Sequence, residues 1–83
     1  MTYRVLVRVM PRTGLLDPQG QAVESALHAL GFPEAGGVRI GRAITLDVEA
    51  ASRDQAAARA RQMCDKLLAN PVTEDALIEV EEA

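Results

Sequence analysis

Residues 3–10 alternate strictly, with Tyr3, Val5, Val7 and Val9 on one parity and Arg4, Leu6, Arg8 and Met10 on the other. A period of two marks a half-buried β-strand, because successive side chains point to opposite faces of a sheet. The chain therefore opens on a strand whose odd face needs cover, and Pro11, which has no N–H to give a ladder, ends it. That cover must come from few atoms. With 83 residues, the chain buries only about 60–65% of its unfolded surface, close to the lower limit for an independent core.

Cys64 is the single cysteine, so no internal disulfide adds to that margin, and a lone thiol favours a reducing compartment. No apolar run approaches the ~20 residues that span a bilayer, and no leader-like segment precedes the first strand. The expectation is a cytoplasmic protein with no membrane partner. A small domain without a staple or a metal gains burial from a second copy of itself, so oligomerisation is expected as well. The net charge of −3 and only two aromatic residues, Tyr3 and Phe32, argue against nucleic acid, which calls for basic grooves and stacking rings.

The segment Leu15-Leu16-Asp17-Pro18-Gln19-Gly20 compresses a strand exit, a turn and a helix start. Asp17 suits an N-cap and Pro18 the first helical position. Gly20, by contrast, costs the first turn about 1 kcal/mol relative to alanine. Val23, Ala26, Leu27 and Leu30 then form one helical stripe. Gly31 is placed for a left-handed C′ position, with Phe32 packing back on Leu27. Pro33 stops the helix.

Gly36-Gly37 opens a second strand, in which Val38, Ile40, Ile44, Leu46 and Val48 keep one parity and Arg42 is the sole polar residue on it. At ~3.3 Å per residue it would reach roughly 35 Å, longer than so small a domain can cover. Gly41 either bends the strand through a bulge, giving a possible fourth strand, or lies in a continuous one. A bend with an intermolecular overhang is preferred, because apolar edges are normally covered. Ser52-Arg53-Asp54-Gln55 is a capping box. It opens a helix expected to bury Ala56, Ala60, Met63, Leu67, Cys64 and Leu68, and Asn70-Pro71 stops it. Residues 76–80 form a last strand with Ile78 and Val80 inward. The expected fold is a single α+β domain over 1–83: a two-layer β-α-β-α-β sandwich with both helices on one sheet face and the sheet completed by oligomerisation.

A reaction centre needs a base, a nucleophile or a metal cluster in mutual reach. His28, the only histidine, reads as a solvated helix residue, and Cys64 as a buried small hydrophobe. Gly36-Gly37 and Gly41 lack the Lys-Ser/Thr of a phosphate loop. Asp17, Asp47, Glu49 and Asp54 read as a cap or as solvent-facing carboxylates, without the alternation of a calcium loop. No catalytic residue and no metal site is expected. The residues left without such a role are Arg42 on its apolar parity, the row Arg4, Arg8 and Arg12, and Gln19-Gly20 at a helix N-terminus, where backbone N–H groups suit an anion or a partner's carboxylate.

Taken in order, the Leu15–Gly20 segment, Val38-Arg39-Ile40-Gly41-Arg42, the run from Cys64 to Val72, and Glu74-Asp75 leading to Glu79-Val80-Glu81-Glu82 resemble the PurS subunit of phosphoribosylformylglycinamidine (FGAM) synthase, from Tyr3 to Glu82. Asn70-Pro71, Ala76 in place of a frequent aromatic, and the stiff Gly31-Phe32-Pro33 depart from that pattern. The resemblance implies a small subunit without an active site of its own, within an ATP- and glutamine-dependent ligase of purine biosynthesis. It implies a glutaminase subunit and a large synthetase subunit as partners, with ATP and Mg in the synthetase, ammonia passed internally, and a homo-oligomer, dimer or tetramer. Arg12, Asp17, Gln19 and Arg42 are the residues expected to contact a partner or an anion. The alternative is a regulatory module that binds a metabolite at a dimer interface, which needs a concave pocket with convergent polar groups.

Overall fold

The computed structural model describes residues 1–12 and 17–83. Leu15 and Leu16, which head the strand-exit segment, lie outside the described residues together with Thr13 and Gly14. The elements run β1 (Thr2–Pro11), α1 (Pro18–Ala29), β2 (Arg42–Glu49), α2 (Arg53–Met63), a π-turn (Cys64–Leu68) and β3 (Glu74–Glu82). This is the expected β-α-β-α-β order.

β1 is the middle strand of an antiparallel sheet ordered β2-β1-β3. The register sets Val5 between Leu46 and Val80, and Val7 between Ile44 and Ile78. The odd face of β1 therefore meets apolar neighbours on both sides. Val5, Val7 and Val9 are fully buried, each contributing about 1.5–3 kcal/mol of apolar transfer.

α2 covers that face. Ser52 Oγ accepts from the Gln55 N–H at 3.1 Å, while Gln55 Oε1 accepts from the Ala51 N–H at 2.5 Å, so the expected box closes one residue early. Ala56 and Ala60 are both fully buried, which lets the helix lie close to the sheet. The helix then widens into the π-turn, closed by the Ala69 N–H on the Cys64 carbonyl at 3.1 Å. A π-turn inserts an extra residue into the helical spiral. It keeps Cys64 buried and Leu68 against the core, but it turns Leu67, expected inside, out to 82% exposure.

The α+β plan holds, but α1 lies elsewhere than expected. Gly20 is its only buried residue, and Val23, Leu30 and Phe32 are 40%, 74% and 49% exposed. Instead of joining α2 on the sheet, α1 lies against residues 38–40. The result is an elongated molecule of 50 × 26 × 14 Å with a radius of gyration of 16.2 Å, where a compact chain of this length would have about 12 Å. The C-terminal end of α1 is as the sequence implies. Gly31 has φ +101°, the Gly31 N–H donates to His28 O at 3.2 Å, and the Phe32 N–H donates to Leu27 O at 3.0 Å, the paired bonds of a Schellman motif.

The second strand begins only at Arg42. Gly41 passes so close to the Val9 carbonyl and Met10 that a Cβ would collide with both. Residues 38–40 lie outside the sheet, and the amides of Val38 and Ile40 donate to side chains of α1 and its cap. No fourth strand forms there, because those donors are already used.

Candidate functional site

Asp17 sits where the start of α1 meets the returning residues 38–40. Its Oδ1 accepts from the Gly20 N–H at 2.9 Å, and its Oδ2 accepts from the Ile40 N–H at 2.9 Å. The first bond caps α1 as the sequence implies. The second joins the helix start to a segment 23 residues later. Both donors stabilise the ionised form and hold the carboxyl below its ordinary range, Gly20 contributing most.

Arg42 resolves its odd parity within the chain. Its guanidinium grips Glu74 through Nη1 at 2.7 Å and Nη2 at 3.1 Å, and Nη2 also donates to the Leu68 carbonyl at 2.6 Å. Glu74 Oε1 accepts from the Asn70 N–H at 2.8 Å. The bidentate fork ties both edge strands to the end of the π-turn. The Arg42 hydrogen bond lowers the Glu74 carboxyl, and the same bond raises the guanidinium.

Asp17, Gln19, Ile40, Gly41, Arg42 and Glu74 line one open cleft of about 420 Å³. Three of the four residues expected to contact a partner, Asp17, Gln19 and Arg42, thus come together. Arg12 does not join them. Its backbone N–H donates to Thr73 O at 2.9 Å, its side chain to Pro71 O at 2.5 Å, and it pairs with Asp75 at 3.3 Å. Arg4 and Arg8 find carboxylates on the neighbouring strands, Asp47 at 3.7 Å and Glu79 at 3.1 Å. The arginine row is therefore charge-matched within the chain, on the sheet face opposite α2.

Two residues of this region were not singled out by sequence reasoning. Glu24 accepts from the Val38 N–H at 3.1 Å; it lies two helical turns after Asp17, and that spacing was its only sequence signal. Glu74 belonged to a recognised motif, but its pairing with Arg42 spans 32 residues, beyond local patterning. His28 is exposed, with Nε2 at 2.6 Å from the Ala35 carbonyl. Cys64 is buried, and desolvation raises its thiol pKa. Among the described residues no group of three or more metal-ligating side chains converges, and no helix is long and apolar enough to cross a membrane. Asp17, Arg42 and Glu74 in the cleft are spent on backbone groups and on one another, while Gln19 is exposed.

Such a molecule, with an open antiparallel sheet, one packed helix and one helix held out from it, is a small α+β domain. The PurS family model, described as phosphoribosylformylglycinamidine (FGAM) synthase, matches residues 4–82. The PurS subunit of that synthase from Bacillus subtilis is 46% identical over 80 residues, covering 96% of this chain and 94% of that protein. Its crystal structure superposes with a TM-score of 0.87 over 96% of this chain and 99% of the other. Methanocaldococcus jannaschii PurS, one of the subunits of formylglycinamide ribonucleotide amidotransferase in the purine biosynthetic pathway, matches at 32% identity and a TM-score of 0.87, covering 98% of each chain. A chain of the PurLQS structure from Thermotoga maritima matches at 27% identity and 0.89, over 98% of this chain and 99% of that one. The chain belongs to the PurS family and is a subunit of FGAM synthase. The rival reading of a free-standing metabolite sensor is not favoured by these matches.

Proposed function

We propose that the chain, acting as a single domain over 1–83, is the non-catalytic assembly subunit that joins the glutaminase and the ATP-dependent synthetase subunits of FGAM synthase. The observation that carries this reading is the unpartnered shape of the molecule. α1 stands off the sheet with Val23, Leu30 and Phe32 exposed, and both β2 and β3 are sheet edges. Apolar stripes and open edges of this kind are normally covered by other chains. The chain would act as a homo-oligomer, dimer or tetramer, in the cytoplasm, with ATP and Mg held by the synthetase.

The contribution to rate is positioning. Ammonia released from glutamine loses its nucleophilic lone pair on protonation in water, so a joint that keeps the two larger subunits in register shortens and shields its path. Gln19, exposed at the cleft, and Arg12 on the neighbouring surface are proposed to meet a partner directly, with Asp17 and Arg42 shaping the cleft between them. The test mixes the chain with the two larger subunits in the presence of glutamine and ADP and follows assembly by size exclusion. A ternary complex that requires the chain is expected; glutamine-dependent synthesis by the two larger subunits at full rate without it would overturn the reading.

A further inference from the structure

Gly20 is the one buried residue of α1. A Cβ at this position would collide with the Val38 carbonyl oxygen and crowd the Asp17 carboxylate. Glycine is therefore what lets the returning chain lie directly on the helix. Around that contact, Asp17 Oδ2 takes the Ile40 N–H at 2.9 Å and Glu24 Oε1 takes the Val38 N–H at 3.1 Å. Alternate amides of an extended segment point to one side, and here each meets a carboxylate from the helix side in place of a ladder partner. At its root the arm is held separately, with Gly41 wedged against Val9 and Met10 and Arg42 fastened to Glu74 and Leu68.

We infer that Asp17 and Glu24 are positioning residues: their carboxylates fasten residues 38–40 along α1, so that helix and return segment leave the sheet as one arm at a fixed angle, and the joining of the larger subunits depends on that angle. This rests on the assembly reading above. It also assigns to Asp17 a role that needs no contact with a partner, and to Glu24 a role in assembly.

Asp17→Ser separates the two bonds, because a serine hydroxyl still caps the helix but is too short to hold Ile40 as well. Glu24→Ala removes the second acceptor, whereas Glu24→Gln keeps an acceptor oxygen. In amide hydrogen exchange on the full chain, Asp17→Ser is expected to speed Ile40 by about tenfold or more while Val7 is unchanged, and Glu24→Ala to do the same at Val38. With the larger subunits, both variants should need roughly tenfold more chain for half-maximal assembly, with Glu24→Gln within about twofold of wild type. Glutamine-dependent turnover should fall while turnover on added ammonium, carried by the synthetase, persists; the unchanged exchange of Val7 is what separates this from loss of folding. Wild-type Ile40 exchanging as fast as in Asp17→Ser overturns the inference, as does wild-type assembly and glutamine use by Asp17→Ser. A wild-type chain that joins neither larger subunit removes the assembly reading and the assembly half of this inference; exchange at Ile40 and Val38 then decides the staple alone.

Discussion

Arg42 and Glu74 begin the two edge strands of the sheet, and they meet across the end of β1 through a two-pronged hydrogen bond of 2.7 and 3.1 Å. The register explains why. Arg42 stands opposite Val9 and Glu74 opposite Pro11, so both side chains rise at the margin where the core face runs out. A guanidinium fork fits a carboxylate there without leaving a charge buried and unpaired.

Glu74 and Asp17 are both held below the ordinary carboxylate range by the groups that donate to them. A depressed folded-state pKa adds stability that is complete above the unfolded value and is lost as pH falls through the folded one. A double variant, Asp17→Asn with Glu74→Gln, imitates the protonated state. Its melting temperature should lie below wild type at pH 6–7, and the gap should close as pH drops below about 4. Thermal melts from pH 7 to 3 check this; a gap independent of pH would contradict it.

Val7 is fully buried between Ile44 and Ile78. Val7→Ala should cost about 2–3 kcal/mol, the sum of lost transfer energy and the cavity left behind. For a domain of this size, each kcal/mol lowers the melting temperature by roughly 4–8 °C. Urea unfolding of the variant measures it directly.

Ala60 is fully buried where α2 meets the sheet. Ala60→Leu has no room and should destabilise by about 1–3 kcal/mol through overpacking. Leu67→Ser, within the π-turn at a site 82% exposed, should stay within about 0.5 kcal/mol of wild type. Equal losses for the two would refute the π-turn's reversal of Leu67.

The Cys64 thiol is buried, and desolvation pushes its pKa upward. Only the thiolate reacts with alkylating reagents. Labelling of the native chain at pH 8 should be at least about 100-fold slower than in denaturant, following the fraction of open molecules. Fast native labelling would place Cys64 at the surface.

The strand at residues 3–10, the caps Asp17 and Ser52, the Gly31 turn and the inward Ile78 and Val80 were all legible in the amino-acid sequence, because each follows from periodicity or from a side chain bonding its own neighbourhood. The candidate site was half legible. Asp17 and Arg42 were marked as residues with roles to explain, yet the partners that explain them, Ile40 and Glu74, stand 23 and 32 residues away. The place of α1 could not be read from its stripe. Amphipathic spacing states that a face wants cover, and it does not say whether that cover lies in the same chain.

Sequence alone settled the order of strands and helices and which face of β1 is apolar, since backbone sterics and side-chain period act over a few residues. Tertiary structure alone decided that the chain leaves the sheet at Gly41, that Leu67 turns outward, and that α1 is held off the sheet. Those outcomes depend on whether a Cβ fits against Val9 and Met10, on the extra residue of the π-turn, and on which distant carboxylates accept from the amides of Val38 and Ile40. Such contacts exist only once remote segments are brought together.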